Sequence, residues 1–294
     1  MTISGDSRVE EAIKKMIEAG IDIDDARLEV SMFAESAKSD EEFDKFIARR
    51  IGGEPMAYIL GYKDFYRDAF KVIPGVLIPR SDTEILVECA LKFAGILEWP
   101  MGDVAGVPKC NYESDNVRFI DFCTGTGCIG ISVYKELIRS GKKAEGILTD
   151  ISPVALSCSS SNIETIIGET DTLKVVEDDV LNDKNETDLF APETVDMIIS
   201  NPPYINDKDM EELDDIIGEN EPHLALEGGT DGLVFYPRIA RRGMELLKTG
   251  GALMVEHGYD QGEAVRKIFA EAGFKDVMTL KDYGSVDRVT FGVK

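Results

Sequence analysis

Four consecutive residues, Asn201-Pro202-Pro203-Tyr204, carry the most informative chemistry in the sequence, and they follow directly on the apolar run VDMIIS. An amide or exocyclic amine is a poor nucleophile because its lone pair is delocalised, so a site that uses it must hold the NH₂ group with well-placed acceptors. The side-chain oxygen of Asn201 and the carbonyl of Pro202 are two such acceptors. Two proline rings fix φ and keep both acceptors in place. Tyr204 offers a flat face for stacking and orienting the group.

This motif predicts methyl transfer to a nitrogen. An activated methyl group needs only in-line approach at a short distance, with neither a metal nor a strong base. Catalytic roles and contacts with the substrate are therefore expected for Asn201, Pro202 and Tyr204. A strand that merely ends in a proline-stiffened turn is the structural alternative. The motif instead occupies the carboxyl end of a strand, where ligands bind in open α/β sheets.

A glycine-rich segment supplies a second candidate site. Gly125, Gly127 and Gly130 follow the spacing G-x-G-x-x-G between a strand-like and a helix-like run. Glycines permit a sharp turn and close approach of a ligand to the backbone. Asp150 ends the next strand-like run, where a carboxylate can accept hydrogen bonds from both hydroxyls of a ribose. The pattern predicts a nucleoside cofactor, either a dinucleotide or S-adenosylmethionine, and the NPPY motif favours the latter.

The elements around these motifs predict an α/β fold with two further parts. Residues 1–53 show apolar residues at helical spacing in three runs, which predicts a small helical domain. Residues 54–78 are aromatic and β-branched with turn signals at Gly61 and Pro74-Gly75, which predicts a β-hairpin linker. Ser81-Asp82-Thr83-Glu84 has the form of a helix cap, and residues 98–116 are expected to form a surface loop.

Residues 79–294 alternate strand-like and helix-like runs, which predicts a Rossmann-like sheet of seven mostly parallel strands covered by helices. The last two runs are joined by only KDYGSV, so they should pair as an antiparallel hairpin. No run is long and apolar enough to span a bilayer, and the N-terminus lacks a signal-peptide core. A cytoplasmic, soluble protein is expected.

Charge and cysteine usage limit the possible functions. Acidic residues outnumber basic ones 56 to 32, for a net charge of -24. This argues against direct nucleic-acid binding, which needs basic surfaces. The acidic run at 207–220 is either a solvated helix or a rim that attracts a basic partner. Five cysteines without a CxxC pair and two histidines predict no metal site and disfavour histidine-based mechanisms.

The chain resembles the HemK/PrmC family of N5-glutamine methyltransferases along nearly its whole length. The segments GEPMAYI (53–59) and LIPRSDTE (77–84) are the most specific, and DFCTGTGCIG, NPPYI, EPHLALEGGTDGLVFY, GGALMVEHGYDQGEAV and DYGSVDR extend the similarity. The resemblance implies methylation of the GGQ glutamine in peptide-chain release factors, with S-adenosyl-L-homocysteine as the second product. The helical domain is then the expected substrate-recognition domain. We expect a monomer.

The resemblance also implies contacts with the substrate amide at Asn201, Pro202, Pro203 and Tyr204. It implies a set of cofactor contacts: Cys123, Thr124, Gly125, Thr126, Gly127, Asp150, Val180, Asn201 and Arg80. Two positions depart from the family pattern. Cys123 stands where glycine is common, so a positive φ there would strain the loop. Val180 stands where an aromatic residue often covers the adenine, which predicts weaker cofactor binding. His257 is expected to be a semi-buried polar residue and His223 a loop residue.

Three other functions are compatible with parts of this pattern. A DNA or RNA adenine-N6 methyltransferase would use the same grip on an exocyclic amine, but the acidic charge and the lack of a basic recognition domain disfavour it. An NAD-dependent dehydrogenase would explain the glycine loop and leave NPPY unexplained. A non-catalytic cofactor-binding partner would leave the amide-gripping residues without a purpose.

Overall fold

The computed structural model describes residues 6–97, 104–110, 116–182, 190–214 and 220–294. The chain divides into two compact units. One unit comprises Met1–Lys63 and Val72–Pro74, and the other comprises Asp64–Lys71 and Gly75–Lys294. Among the described residues, no helix combines the length and apolar character needed to cross a membrane.

The first unit is helical. Its helices are α1 (Asp6–Glu18), α2 (Ile23–Ser36), α3 (Asp40–Ile51) and the short α4 (Met56–Leu60). Side chains cap two of them: Asp22 accepts from the Asp24 N–H at 2.8 Å, and Ser39 accepts from the Glu42 N–H at 3.2 Å, which satisfies donors left free in a first turn. The unit has its own core, formed by Ala12, Met16, Ala26, Val30, Phe33, Ala37, Phe43, Ile47 and Ile59.

The segment 54–78 contains a hairpin together with a helical turn that the sequence pattern did not predict. Strands β1 (Tyr62–Phe65) and β2 (Asp68–Lys71) form a two-stranded sheet. Before them, α4 buries Ala57, Tyr58 and Ile59, and a continuous apolar run of this kind has no period that separates helix from strand. Gly61, which we interpreted as a hairpin signal, is the left-handed C-cap of α4, with φ of 80°.

The second unit is built on a seven-stranded sheet. Its strands are β3 (Asn116–Phe122), β4 (Lys143–Asp150), β5 (Leu173–Glu177), β6 (Val195–Ser200), β7 (Leu247–Glu256), β8 (Lys275–Lys281) and β9 (Asp287–Val293). They lie in the order β5-β4-β3-β6-β7-β9-β8. Strands β3 to β7 pair in parallel, whereas β9 pairs antiparallel with both β7 and β8. The predicted fold class, with its closing antiparallel hairpin, is confirmed.

Helices lie on both faces of this sheet. They are α5 (Glu84–Phe93), α6 (Cys128–Arg139), α7 (Pro153–Ile166), α8 (Asp207–Asp214), α9 (Phe235–Leu246) and α10 (Gly262–Ala272). Successive strand residues enter opposite cores: Phe119 belongs to one buried cluster and Ile120 to the other, because strand side chains alternate between faces. All six residues of β6 are buried, as expected for a central parallel strand.

Two local predictions were wrong. Helix α5 begins at Glu84, as the pattern at Ser81–Glu84 predicted, but Ser81–Thr83 form a 3-10 turn and no side chain caps the helix. The Thr83 hydroxyl instead accepts from Asn201. The predicted surface loop includes Val104 and Val107, which are buried in the core of the second unit. Residues 98–103 and 111–115 of that loop lie outside the described residues, as do residues 215–219 of the acidic run.

Candidate active site

A cavity of about 230 Å³ opens at the carboxyl ends of the central strands. Of the residues predicted for the cofactor and the substrate, the cavity is lined by Arg80, Cys123, Thr124, Gly125, Thr126, Asp150, Val180, Asn201 and Pro203. Gly127, Pro202 and Tyr204 do not line it. Residues separated by more than 100 positions in sequence therefore surround one space, because parallel strands end at the same edge of the sheet.

The glycine loop joins β3 to α6. The Thr124 N–H donates to the carbonyl of Thr149 at 2.9 Å, which holds the start of the loop against β4. Gly125 and Gly127 have φ of 57° and 82°, which a residue with a Cβ rarely adopts. A Cβ at Gly127 would also lie 2.8 Å from the side chain of Ile131. The conformation of the loop therefore favours glycine at both positions, and at Gly127 the packing does so as well.

Cys123 adopts a left-handed conformation, with φ of 57°. It is the first residue after β3 and is half-buried against the cavity. A Cβ in this region costs about 1–2 kcal/mol, so the loop has the strain anticipated if φ were positive at this position. Burial raises the pKa of the Cys123 thiol, which keeps it in the neutral form.

Asp121 supports the same loop from beneath. One carboxyl oxygen accepts from the Thr124 hydroxyl at 2.6 Å and from the Gly130 N–H at 3.0 Å. The other oxygen has no hydrogen-bond partner among the described residues. The side chain is fully buried, and this burial raises the pKa of Asp121 to about 7. The sequence pattern did not single out Asp121, although an acid inside a buried strand was a usable signal.

Asp150 faces the loop from the end of β4. Its Oδ2 accepts from the Gly125 N–H and its Oδ1 from the Ser152 N–H, both at 2.9 Å. An ionised carboxylate has about four acceptor positions, so Asp150 can still accept from a ligand beside its backbone bonds from Gly125, Ser152 and Ile151. Burial raises the pKa of Asp150. The arrangement suits a ligand that brings two neighbouring hydroxyl groups.

The segment after β5 forms the next wall. Val180 is buried and lines the cavity with Leu181, whose N–H donates to Asp179 Oδ1 at 2.9 Å. In the same segment, Asp178 is buried and accepts from Nη1 and Nη2 of Arg242 at 2.5 and 3.2 Å. The guanidinium of Arg242 lies 4.7 Å from the ring centre of Phe122. An apolar surface next to a fixed carboxylate suits a flat heterocycle with an amino group. Asp179 was not predicted.

The NPPY segment begins at the end of β6. The Nδ2 of Asn201 donates to the Thr83 hydroxyl at 3.3 Å. The backbone of Tyr204 is enclosed, since its carbonyl accepts from Gln261 at 2.9 Å and a Cβ at Gly228 would lie 2.7 Å from its Cα. The Tyr204 hydroxyl donates to Glu256 at 3.4 Å, and burial raises the pKa of the Tyr204 phenol.

Two other predicted residues have clear positions. Arg80 lines the cavity, and its Nη2 forms an ion pair of 2.6 Å with Oε1 of buried Glu221. His257 is fully buried, its Nδ1 lies 2.8 Å from the carbonyl of Gly258, and it does not line the cavity. His257 is thus more buried than the semi-buried position predicted. Burial lowers the pKa of His257 and keeps the ring neutral.

The described residues contain no group of three or more His, Cys, Asp or Glu side chains placed to hold a metal ion.

Comparison with known proteins identifies relatives of this chain. The model for the methyltransferase small domain matches residues 111–235. A release factor glutamine methyltransferase of Clostridium acetobutylicum is 35% identical over 86% of this chain and 80% of its own length. That of Geobacter sulfurreducens is 38% identical over 84% of this chain and 75% of its own. That of Aliivibrio fischeri is 34% identical over 92% and 86%.

The chain belongs to the release factor glutamine methyltransferase family. It is an S-adenosylmethionine-dependent methyltransferase, and the family resemblance inferred from sequence is confirmed. Among solved structures, the hMettl16 catalytic domain in complex with the MAT2A 3′UTR hairpin 1 has a TM-score of 0.54. It is 14% identical and covers 75% of this chain and 71% of its own, which bears on the fold alone.

The cavity of this methyltransferase fits an adenosyl group. The carboxylate of Asp150 lines this cavity and can still accept hydrogen bonds from hydroxyl groups. Val180 and Leu181 form an apolar wall beside Asp179. The loop that begins at Cys123 presents its backbone to the same space, with no Cβ at Gly125 to narrow it.

Proposed function

We propose that this chain methylates the side-chain amide nitrogen (N5) of the glutamine in the GGQ motif of peptide-chain release factors. The observation that carries the proposal is the position of Asn201, whose side-chain amide is anchored on Thr83 beside the cavity. An anchored amide presents an acceptor of fixed direction, which is what an NH₂ group of low nucleophilicity requires. The printed names of the relatives, release factor glutamine methyltransferases, agree with this acceptor.

S-adenosylmethionine supplies an electrophilic methyl group when it is bound. We assign its binding to the predicted cofactor residues that line the cavity, with Asp150 on the ribose and Val180 on the adenine. Asp179, next to Val180, joins this set as a candidate for the amino group of the adenine. Gly127 acts indirectly by ending the loop, since it caps α6 without lining the cavity.

The acceptor amide is held by Asn201 and by the carbonyl of Pro202. Acceptors on both N–H groups favour a pyramidal nitrogen and free its lone pair from the amide carbonyl. Pro202 is buried, so its ring is held by packing and its φ is fixed. After transfer the protonated amide is strongly acidic and gives its proton to water, so no catalytic base is needed.

Pro203 and Tyr204 complete the proposed grip. Pro203 lines the cavity and excludes water from one side of the amide. The ring of Tyr204 is proposed to stack on the plane of the amide. The orientation of the ring is held by the hydrogen bond from the Tyr204 hydroxyl to Glu256. The helical first unit, which has its own core, is proposed to recognise the folded release factor.

Labelling with radioactive S-adenosylmethionine tests the proposal. Incubation with an intact release factor should label one glutamine, located by peptide mass spectrometry, and a factor with GGQ changed to GGE should remain unlabelled. Asn201→Ala should lower kcat about 100-fold or more, the cost of losing one preorganised polar contact. Asn206→Ala, outside the cavity lining, is the matched control. Labelling of DNA or RNA in place of the factor would overturn the proposal in favour of an adenine methyltransferase.

A further inference from the structure

The side-chain amide of Asn201 ends in an oxygen and a nitrogen of nearly the same size. Only one of these two atoms can accept a hydrogen bond from the NH₂ group that receives the methyl. Its oxygen accepts hydrogen bonds, whereas its nitrogen donates them. A glutamine NH₂ group needs the oxygen. In the structure the nitrogen donates to Thr83 Oγ1 at 3.3 Å, which leaves the oxygen as the free end. A hydroxyl is able both to donate and to accept, so Thr83 alone does not select this orientation.

The group behind Thr83 removes that ambiguity. Glu256 ends β7 and is 2% exposed. Its Oε1 accepts from the Tyr204 hydroxyl at 3.4 Å, and a hydrogen bond with the Thr83 side chain lowers the pKa of the carboxyl. Its Oε2 has no hydrogen-bond partner among the described residues. A buried carboxyl with an incompletely bonded oxygen costs folding free energy, and an apolar residue would avoid this cost.

We propose that Glu256 is a positioning residue, which acts through Thr83 to orient the Asn201 amide and through Tyr204 to hold the other end of the NPPY segment. The proposal rests on the proposed function, because the orientation matters only if the acceptor is an NH₂ group. Glu256 is 2% exposed, and its two hydrogen-bond contacts are with Thr83 and Tyr204. We therefore assign it a role through these two neighbours and no contact with the methyl acceptor.

The donors and acceptors of these side chains determine the direction of each hydrogen bond in the series Glu256–Thr83–Asn201, which we call the relay. An ionised carboxylate only accepts, so it takes the single hydroxyl hydrogen of Thr83. The lone pairs of Thr83 then accept from Asn201 Nδ2, and Asn201 Oδ1 faces away from Thr83. When Glu256 is protonated, the Thr83 hydrogen is released to donate to Asn201 Oδ1. The amide then turns, and its NH₂ group meets the NH₂ group of the acceptor.

The surroundings of Glu256 bring the pKa of its carboxyl close to neutral pH, so the change in the orientation of Asn201 is expected there. Burial raises the pKa of Glu256 to about 7, while Thr83, Arg288 and the Tyr204 hydroxyl lower it and Asp82 raises it. The titratable and charged groups that face Glu256 are Asp82 on the 3-10 turn, Cys128 on α6, Tyr204 after β6, Tyr236 on α9 and Arg288 on β9. As pH falls through about 7, the carboxylate is protonated and the correct orientation of Asn201 is lost.

Four variants of the full-length enzyme test the relay against a purely structural role for Glu256. Thr83→Val keeps the shape and removes the hydroxyl, whereas Thr83→Ser keeps the hydroxyl. Glu256→Leu removes every acceptor, whereas Glu256→Gln keeps an acceptor that does not titrate. Glu88→Gln is the control, because Glu88 is an equally buried carboxyl on α5 that does not line the cavity.

We expect Thr83→Val and Glu256→Leu to lower kcat by about 10–100-fold at pH 8, the cost of one misdirected polar contact. The KM for S-adenosylmethionine should change by less than about threefold, since the effect falls on the transition state. Thr83→Ser and Glu256→Gln should recover most of kcat. The loss of kcat below pH ~7 should be present in the wild type and in Glu88→Gln, and absent in Glu256→Gln.

An acid limb unchanged in Glu256→Gln, or a kcat for Thr83→Val within about twofold of wild type, would overturn the relay. Thr83→Val keeps the volume of the side chain, so it decides the question even if Glu256→Leu fails to fold. Infrared difference spectra provide a readout without any methyl acceptor. The C=O band of protonated Glu256 is identified as the band that Glu256→Gln lacks. Its intensity should titrate with pH in the wild type, and in Thr83→Val the midpoint of this titration should lie at higher pH. If instead the acceptor is not glutamine, the labelling experiment fails while this titration remains.

Discussion

The backbone N–H of Gly125 donates a hydrogen bond of 2.9 Å to Oδ2 of Asp150. This bond joins the glycine loop after β3 to the end of β4, so one carboxylate both shapes the loop and faces the cavity. The proposed ribose contact and the conformation of the loop are therefore coupled, and loss of the carboxylate should affect both.

Asp150→Ala should weaken binding of S-adenosylhomocysteine about 10–100-fold, because hydrogen bonds to a charged group contribute about 1.5–3 kcal/mol. Isothermal titration calorimetry measures the affinity directly. Asp171→Ala, an exposed acid before β5, changes the net charge equally and should bind normally. Equal affinity of Asp150→Ala and the wild type would exclude the ribose contact.

Cys123 provides a test of backbone strain in the same loop. Its φ of 57° is accessible to glycine at little cost and is least accessible to β-branched residues. Cys123→Gly should raise the free energy of unfolding by about 0.5–1 kcal/mol, and Cys123→Val should lower it by about 1–2 kcal/mol. Urea denaturation measures both. If the two variants shift stability in the same direction, the strain at this position does not control it.

The buried carboxyl of Asp121 should make stability depend on pH in a specific direction. Burial raises the pKa of Asp121 from 3.8 to about 7 in the folded chain, so the folded state binds this proton more tightly than the unfolded state. The resulting stabilisation is complete below pH ~4 and is lost as pH rises through about 7.

Asp121→Asn removes this titration. The free energy of unfolding of the variant relative to wild type should therefore increase by about 2–4 kcal/mol between pH 4 and pH 8, at about 1.4 kcal/mol per unit of pKa shift. Urea denaturation of the two proteins at several pH values gives this difference. A difference that is constant with pH would show that Asp121 titrates normally.

The helical first unit can be tested with a surface change. Leu28 on α2 is 59% exposed, and an exposed apolar side chain on a unit proposed to recognise a protein is a candidate contact. Leu28→Ser should raise the KM for the intact release factor about tenfold and leave the KM for a short GGQ peptide unchanged, since the loss of one buried leucine contact costs about 1.5–3 kcal/mol. Glu10→Ser, exposed on α1, is the control. Equal effects on factor and peptide would place recognition elsewhere.

Local patterns determined much of this molecule. The segment from Phe119 to Gly130 predicted strand, loop and helix because glycines with positive φ and a short apolar run act within a few residues. The short connection KDYGSV before the last strand predicted an antiparallel hairpin for the same reason, as a crossover does not fit in it. Asn201 was singled out by its neighbours in sequence alone.

Only the tertiary structure determined which distant residues contact these groups. Thr83 has the sequence environment of a helix cap, yet its hydroxyl accepts from Asn201, 118 positions away. Glu256 and Asp121 lie in strands whose patterns indicate burial, and no local signal tells which buried acid faces which hydroxyl. Val104 and Val107 were expected at the surface because their neighbours are polar, whereas their burial depends on a core that the chain assembles later. Contacts of this kind arise from sheet order and helix packing, which are set by the burial of the whole chain and not by any segment of it.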